Sequence, residues 1–342
     1  MTKEQTTSRF KNLDIHQVVI SILILIIALI MGKVSPYFFS LGNLEALLNS
    51  FVLEAIMALG MTLVIISGGI DLSISGVLPL SAICFALLMK NNIHFAVAAA
   101  IVLILASLIG ILNNTLRRIL NIHPFIITTA TMLLLKGLNL ALTDGKVISR
   151  FPENFTKFVG FELLGIPLPI VIFIVLAVFY YFFLKDNKYF NRVYFVGGNI
   201  NAARLSGINT EAVLTFVYTQ SALLAGIAGI LAVTIYNSAS PTFAQGAELR
   251  VITAVAIGGT SLTRGGIGKI SGTLLGSLFL ALTYNIFIMS GMSTYYQDVI
   301  TGTMLIAAIV FSEQAKVIRT SLLERVAKKV LNRELGETLI NK

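Results

Sequence analysis

The stretch Lys185-Asp-Asn-Lys-Tyr-Phe-Asn-Arg-Val-Tyr194-Phe-Val-Gly-Gly-Asn-Ile-Asn-Ala-Ala-Arg-Leu-Ser-Gly-Ile-Asn209 is polar, in a chain that is otherwise nearly all apolar. It carries Lys185, Lys188, Arg192 and Arg204, and loops this rich in Lys and Arg lie on the cytoplasmic face of membrane proteins. Asn199 is a good helix cap and Gly207 a good helix stop, so the spacing predicts about two turns of helix between them. So short a helix is marginal in water and must be held by packing. A membrane protein that places a short helix there is expected to dock a partner on it.

Working outward, the 342 residues are 56% hydrophobic and only 12% charged, whereas a soluble domain runs near a quarter charged. The chain therefore reads as an all-α polytopic membrane protein with no separate soluble domain. Its net charge of +9 is explained by basic cytoplasmic loops, not by a nucleic-acid partner. Cys84 is the only cysteine and lies in an apolar run, so it forms no internal disulfide and reads as packing. His16, His94 and His123 are scattered without ligand spacing, and no metal site is expected. A basic N-terminus followed by an apolar run resembles a signal peptide in charge order. No small-x-small cleavage site follows it, so it reads as an uncleaved first span.

Spans of roughly 20 apolar residues are predicted at 17–34, 46–67, 72–90, 94–113, 123–143, 168–184, 211–236, 248–262, 269–289 and 295–312. About ten transmembrane helices put both termini on one side. Cytoplasmic termini gather Lys3, Arg9, Lys11, Arg117, Arg118, the four basic residues of the central stretch, Arg264, Lys269 and the basic tail from Lys316 to Lys342. That is most of the positive charge, so both the N- and C-termini are expected in the cytoplasm. The resulting division is a cytoplasmic tail at 1–16, a transmembrane domain at 17–312 with a cytoplasmic loop at 185–209, and a second tail at 313–342.

Two segments echo each other. Ser67-Gly-Gly-Ile-Asp-Leu-Ser-Ile-Ser-Gly76 and Ile257-Gly-Gly-Thr-Ser-Leu-Thr-Arg-Gly-Gly266 both interrupt apolar runs, and both descend in the same direction in this topology. Two same-direction repeat halves are expected. Paired Gly-interrupted segments point to a transport path, which makes Gly68, Gly69, Asp71, Ser73, Gly258, Gly259, Thr260 and Ser261 candidate path or gate residues. The plainer reading is a pair of cytoplasmic turns. Asp71 reads first as the cap of a helix starting near Leu72, with a group of the path or gate as the alternative. Lys136 lies inside a span and could snorkel or pair with a carboxylate such as Glu54. Glu248 and Arg250 read as surface or packing residues at a span end.

Two motifs fail. In Gly265-Gly-Ile-Gly-Lys-Ile-Ser271 the places that a phosphate loop needs filled by Gly and by Ser or Thr hold Thr263 and Ile270. Ile66-Ser-Gly-Gly69 likewise lies at a span end rather than at a polar helix start. Nothing arranges a nucleophile with a base. The chain is expected to be a non-catalytic subunit that binds no cofactor of its own.

Gly68-Gly-Ile-Asp-Leu-Ser73, Pro124-Phe-Ile-Ile with Thr131-Met132, the Gly197–Ile208 stretch, Gly258-Gly-Thr-Ser-Leu262 and Ser293-x-Tyr-Tyr-Gln297 occur in that order. With these motifs the chain resembles, over roughly residues 45–315, the membrane permease subunits of bacterial ABC importers for ribose and related monosaccharides. That group includes the autoinducer-2 permeases. The resemblance implies a multi-pass protein of the bacterial inner membrane, in contact with lipid and paired with a second permease copy or a paralogue. It also implies an extracytoplasmic solute-binding protein and a cytoplasmic ATPase with two nucleotide-binding halves, on which ATP and Mg would sit. Gly197, Gly198, Asn199, Ala202, Ala203, Arg204, Leu205, Ser206 and Gly207 would form the loop that receives this ATPase. A stand-alone transporter driven by an ion gradient is the alternative; it would want a chain of intramembrane carboxylates.

Overall fold

The computed structural model describes residues 15–152, 155, 159–293 and 296–310. The tail at 313–342 and most of the tail at 1–16 lie outside them, as do Thr294 and Tyr295 of the last motif. Twelve helices follow one another among the described residues. They are α1 Ile15–Val34, α2 Leu41–Ile66, α3 Ile74–Lys90, α4 Phe95–Leu120, α5 Pro124–Thr143, α6 Leu168–Asp186, α7 Lys188–Gly198, α8 Ile200–Leu205, α9 Thr210–Tyr236, α10 Ala247–Ile257, α11 Ile270–Met289 and α12 Tyr296–Val310. A two-stranded antiparallel pair, β1 Glu162–Leu163 with β2 Ile166–Pro167, precedes α6.

Each of the ten predicted spans is a helix. Seven of them (α1, α2, α4, α5, α6, α9 and α11) are long and apolar enough to cross a membrane. α3 and α12 are shorter apolar helices. α10 is a correction: it has 11 residues, about 17 Å at 1.5 Å per residue, little more than half the hydrocarbon thickness. It stops at Ile257 because Gly258 and Gly259 turn the chain, and Thr260, Ser261 and Leu262 beyond them are connector rather than span.

Burial sorts the helices into layers. α2 and α9 form the centre, with 83% and 72% of their most apolar windows buried, while α1 has only 11%. Glycines let the central helices cross at backbone distance, the usual device where lipid supplies no hydrophobic drive between helices. A Cβ at Gly110 would lie 2.4 Å from the Tyr218 carbonyl oxygen, and one at Gly229 2.4 Å from that of Leu78, so α9 sits directly on α4 and α3.

The histidines serve as local hydrogen-bonding groups. Nδ1 of His94 accepts from Ala96 N and Nδ1 of His123 accepts from Phe125 N, capping α4 and α5. The His16 ring bonds the Ile257 carbonyl at 2.7 Å, which pins the start of α1 to the end of α10. At the opposite end of the bundle Asn43 and Asn285 exchange side-chain bonds. There the 144–168 loop also bridges Ile148 to Ala239.

Candidate functional site: a glycine junction and a charged cavity

The central polar stretch forms α7 and α8. Oδ1 of Asn199 accepts from both Asn201 N and Ala202 N at 3.0 Å, the bonding of a helix cap. At the far end Gly207 adopts φ +79° and Ile208 N reaches back to Ala203 O at 3.1 Å. Ala203 is 4% exposed and packs into the chain's own core. The outward face of α8 is Asn201, Ala202, Arg204 and Leu205, with Leu205 90% exposed and apolar.

Gly197 faces inward as well. A Cβ there would lie 1.7 Å from the carbonyl oxygen of Ile66, the last residue of α2. That same oxygen accepts from Gly266 N at 2.7 Å, and the Tyr194 hydroxyl donates to Gly268 O at 3.0 Å. The α2–α3 connector, the α10–α11 connector and the α7–α8 segment therefore meet at one backbone contact. The two connectors also turn by matching bonds. Ser67 N, Gly68 N and Gly69 N donate to Leu63, Ile65 and Val64 carbonyls; Gly258 N, Gly259 N and Thr260 N donate to Ala254, Ala256 and Val255. Gly68 and Gly259 take φ +87° and +88°, a conformation that favours glycine. The candidate path residues of both connectors thus lie at the same end of the bundle as α7 and α8.

Asp71 is fully buried in the α2–α3 connector. Its Oδ1 accepts from Ser73 N at 3.0 Å and Ser73 Oγ at 2.5 Å, just before α3 begins at Ile74 rather than near Leu72. Asn113 Nδ2 donates to Ser73 Oγ at 2.9 Å, and Thr131 Oγ1 donates to Asn113 Oδ1 at 2.7 Å. This chain of bonds ties the connector to α4 and α5. Burial pushes the Asp71 carboxyl above its ordinary range, and the Ser73 and Ser221 groups facing it work the other way.

A cavity of about 350 Å³ lies twelve residues up α2 from the junction, roughly 18 Å along the helix. Met57 and Leu78 give it apolar wall; Ser50, Glu54, Tyr236, Thr242, Gln245 and Arg250 give it polar groups. Part of its lining is the irregular segment 237–246 between α9 and α10. Arg250 Nε donates to Glu54 Oε1 at 2.6 Å and its Nη1 to Gln245 O at 2.9 Å. Lys136 Nζ donates to Glu248 Oε1 at 3.1 Å. Both pairings correct the sequence reading: Glu54 takes Arg250 and not Lys136, and Arg250 lines the cavity. Four charges, two of each sign, inside or at the ends of apolar spans had to find one another. That was the available signal, but the choice of partners needed the fold.

The arrangement offers a polar solute a cavity with donors and acceptors, and at the far end of α2 an exposed apolar knob beside a rigid backbone joint. The chain matches, over residues 43–309, a family described as the permease component of branched-chain amino acid transport systems. The chain is 37% identical over 292 residues to the ribose import permease protein of Escherichia coli K12, covering 84% of this chain and 91% of that one. It is 31% identical over 286 residues to the D-allose transport system permease protein of the same strain, covering 83% and 87%. To the autoinducer 2 import system permease protein of Photorhabdus temperata it is 30% identical over 297 residues, covering 85% and 89%. No solved structure matches the chain. With the match running from the start of α2 nearly to the end of α12, this multi-pass chain belongs to that family of transport-system permease components.

Proposed function

We propose that the chain is the permease subunit of an ATP-driven ABC importer in the bacterial cytoplasmic membrane, and that its cavity lies on the path of a monosaccharide or similar small polar solute. The observation that carries this reading is the junction. The α7–α8 segment, whose outer face is exposed, rests by backbone contact on the ends of the helices that wall the cavity. A partner pressing on that face moves α2 and α10 with it.

Arg117, Arg118, Lys185, Lys188, Arg192, Arg204, Arg264 and Lys269 all belong to helix ends and connectors at the junction end. This supports a cytoplasmic junction and cytoplasmic tails. ATP and Mg act on a separate ATPase with two nucleotide-binding halves, and a second permease copy or paralogue completes the path. An extracytoplasmic binding protein delivers the solute at the opposite end. The printed names of the relatives (ribose, D-allose, autoinducer 2) favour a small polar solute. The matching turns of the two connectors support same-direction repeat halves. A gradient-driven transporter is disfavoured because Glu54 and Glu248 are each held by a basic partner and Asp71 is braced in a turn.

The test is affinity purification of the tagged chain from its own membranes. An ATPase with two nucleotide-binding halves should come with it, and Leu205→Asp should lose that ATPase while staying in the membrane at the wild-type level. Recovery of no ATPase, or equal recovery with Leu205→Asp, would refute the reading.

A further inference from the structure

We propose that the hairpin of β1 and β2 is a membrane-interface anchor. It lays its apolar face and its Leu164 tip against the lipid leaflet at the end of the bundle away from the junction. This anchor requires only that the chain spans a membrane, whatever powers transport.

The two strands pair Glu162 with Pro167 and Leu163 with Ile166, and Leu168 N donates to Phe161 O at 3.0 Å. Side chains alternate between the two faces of a strand. Phe161, Leu163 and Ile166 therefore share one face, and Glu162 stands on the other. The turn between the strands is Leu164-Gly165, with φ +55° and +77°. A two-residue turn with both φ positive favours Asn or Asp before Gly, and leucine is strained there. No internal packing compensates that strain, because Leu164 is 95% exposed. The described residues leave Phe161, Leu163 and Ile166 exposed as well. A hairpin this short is marginal in water, and this one would show water its apolar side.

What covers that face follows from its depth. β2 runs into α6 with no linker between them. The apolar run 168–184 is about 25 Å long at 1.5 Å per residue, close to the roughly 30 Å of bilayer hydrocarbon. Lys185 and Asp186 mark its junction end. Leu168 therefore lies at the opposite hydrocarbon boundary, and the hairpin lies there with it. α6 leaves Ile174, Val175 and Val178 exposed, so the apolar face of the hairpin adjoins a helix already in lipid. At this boundary the unpaired N–H and C=O groups of the strand edges still reach water or headgroups, which they could not do deeper. A soluble partner that comes and goes would leave the face bare between visits, whereas the bilayer covers it throughout.

The chain has no tryptophan, so Leu164→Trp supplies a sole fluorescent reporter. The full-length variant would be placed in phosphatidylcholine liposomes brominated at defined acyl positions, with iodide as the aqueous quencher. A face sunk about 5–10 Å into the headgroup and acyl boundary predicts that bromine near the headgroup end cuts the emission by roughly half or more. Bromine near the terminal methyl should cut it less, and iodide should have little effect. Phe161→Trp, an aromatic for an aromatic on the same face, should give the same pattern and decides alone if Leu164→Trp does not fold. Quenching by iodide and not by bromine would place the face in water, open to a soluble partner, and overturn the proposal. Emission untouched by either quencher would mean that protein covers the face, a second copy of the chain included, and would overturn it too. Stronger quenching from the methyl end would put the hairpin in the bilayer core and contradict an interfacial anchor.

Discussion

The end and the middle of α2 are held by opposite means. At Ile66 the contact is backbone on backbone, with Gly197 and Gly266 pressed onto one carbonyl oxygen. At Glu54, twelve residues away, it is a side-chain ion pair facing a cavity. A contact between backbones has no rotamer to adjust, so it passes displacement without absorbing it. An ion pair between long side chains can loosen, trade partners or admit a solute. One helix thus joins a stiff joint to an adaptable site.

The sharpest way to break this contrast is at the stiff end. Gly197→Val should abolish uptake and destabilise the assembled protein by at least about 3 kcal/mol, because two backbones must part. Thermal unfolding in detergent reads the stability. Gly137→Ala, where an added Cβ meets nothing within 4 Å, should leave stability and uptake intact. If Gly197→Val behaves like this control, the joint is not stiff.

At the adaptable site, Glu54→Ala leaves a shielded guanidinium without its carboxylate and should cost about 2–3 kcal/mol. Glu54→Gln, which keeps an acceptor for Arg250 Nε, should cost less. Equal unfolding temperatures for the two variants would mean that the pair contributes nothing beyond packing.

Ala202 and Ala203 divide the coupling face by exposure alone. Ala202→Glu should preserve the fold and weaken ATPase recovery roughly tenfold or more, since it places a charge at the contact. Ala203→Glu should lower stability first, because that side chain is enclosed by its own chain. Quantitative pull-down and unfolding measured together separate the two; identical behaviour would contradict the observed orientation of α8.

The smallest effect is expected at Asp71. Asparagine still presents an oxygen to Ser73 N and Ser73 Oγ, so Asp71→Asn should change stability by less than about 1 kcal/mol and keep most uptake. Loss of uptake at normal membrane level would show that the charge itself serves the path.

What was legible in the sequence follows the range of the interactions involved. The caps at Asn199 and Gly207 could be read because cap and helix are neighbours in the chain, and the ten helices because each carries its own apolar run. The end of α10 was misread, since the chain stays uncharged as far as Thr263 and the absence of charge does not register a turn. The partners of Lys136 and Glu54 stand 112 and 196 residues away; sequence could say that these charges need partners but not which ones. The inward faces of Gly197 and Ala203 were hidden for the same reason. Small residues suit a docking surface and a close internal contact equally well, and only the packed neighbours distinguish them.

The central claim is that this permease moves its solute at the expense of ATP hydrolysed by a partner docked on α7 and α8. Its most direct test is solute uptake into proteoliposomes holding the chain with its co-purified ATPase and binding protein. Uptake should require ATP inside the contact side of the vesicle, persist without any ion gradient, and vanish with Leu205→Asp. Uptake by the chain alone, driven by a proton or sodium gradient and indifferent to ATP and to Leu205→Asp, would contradict it.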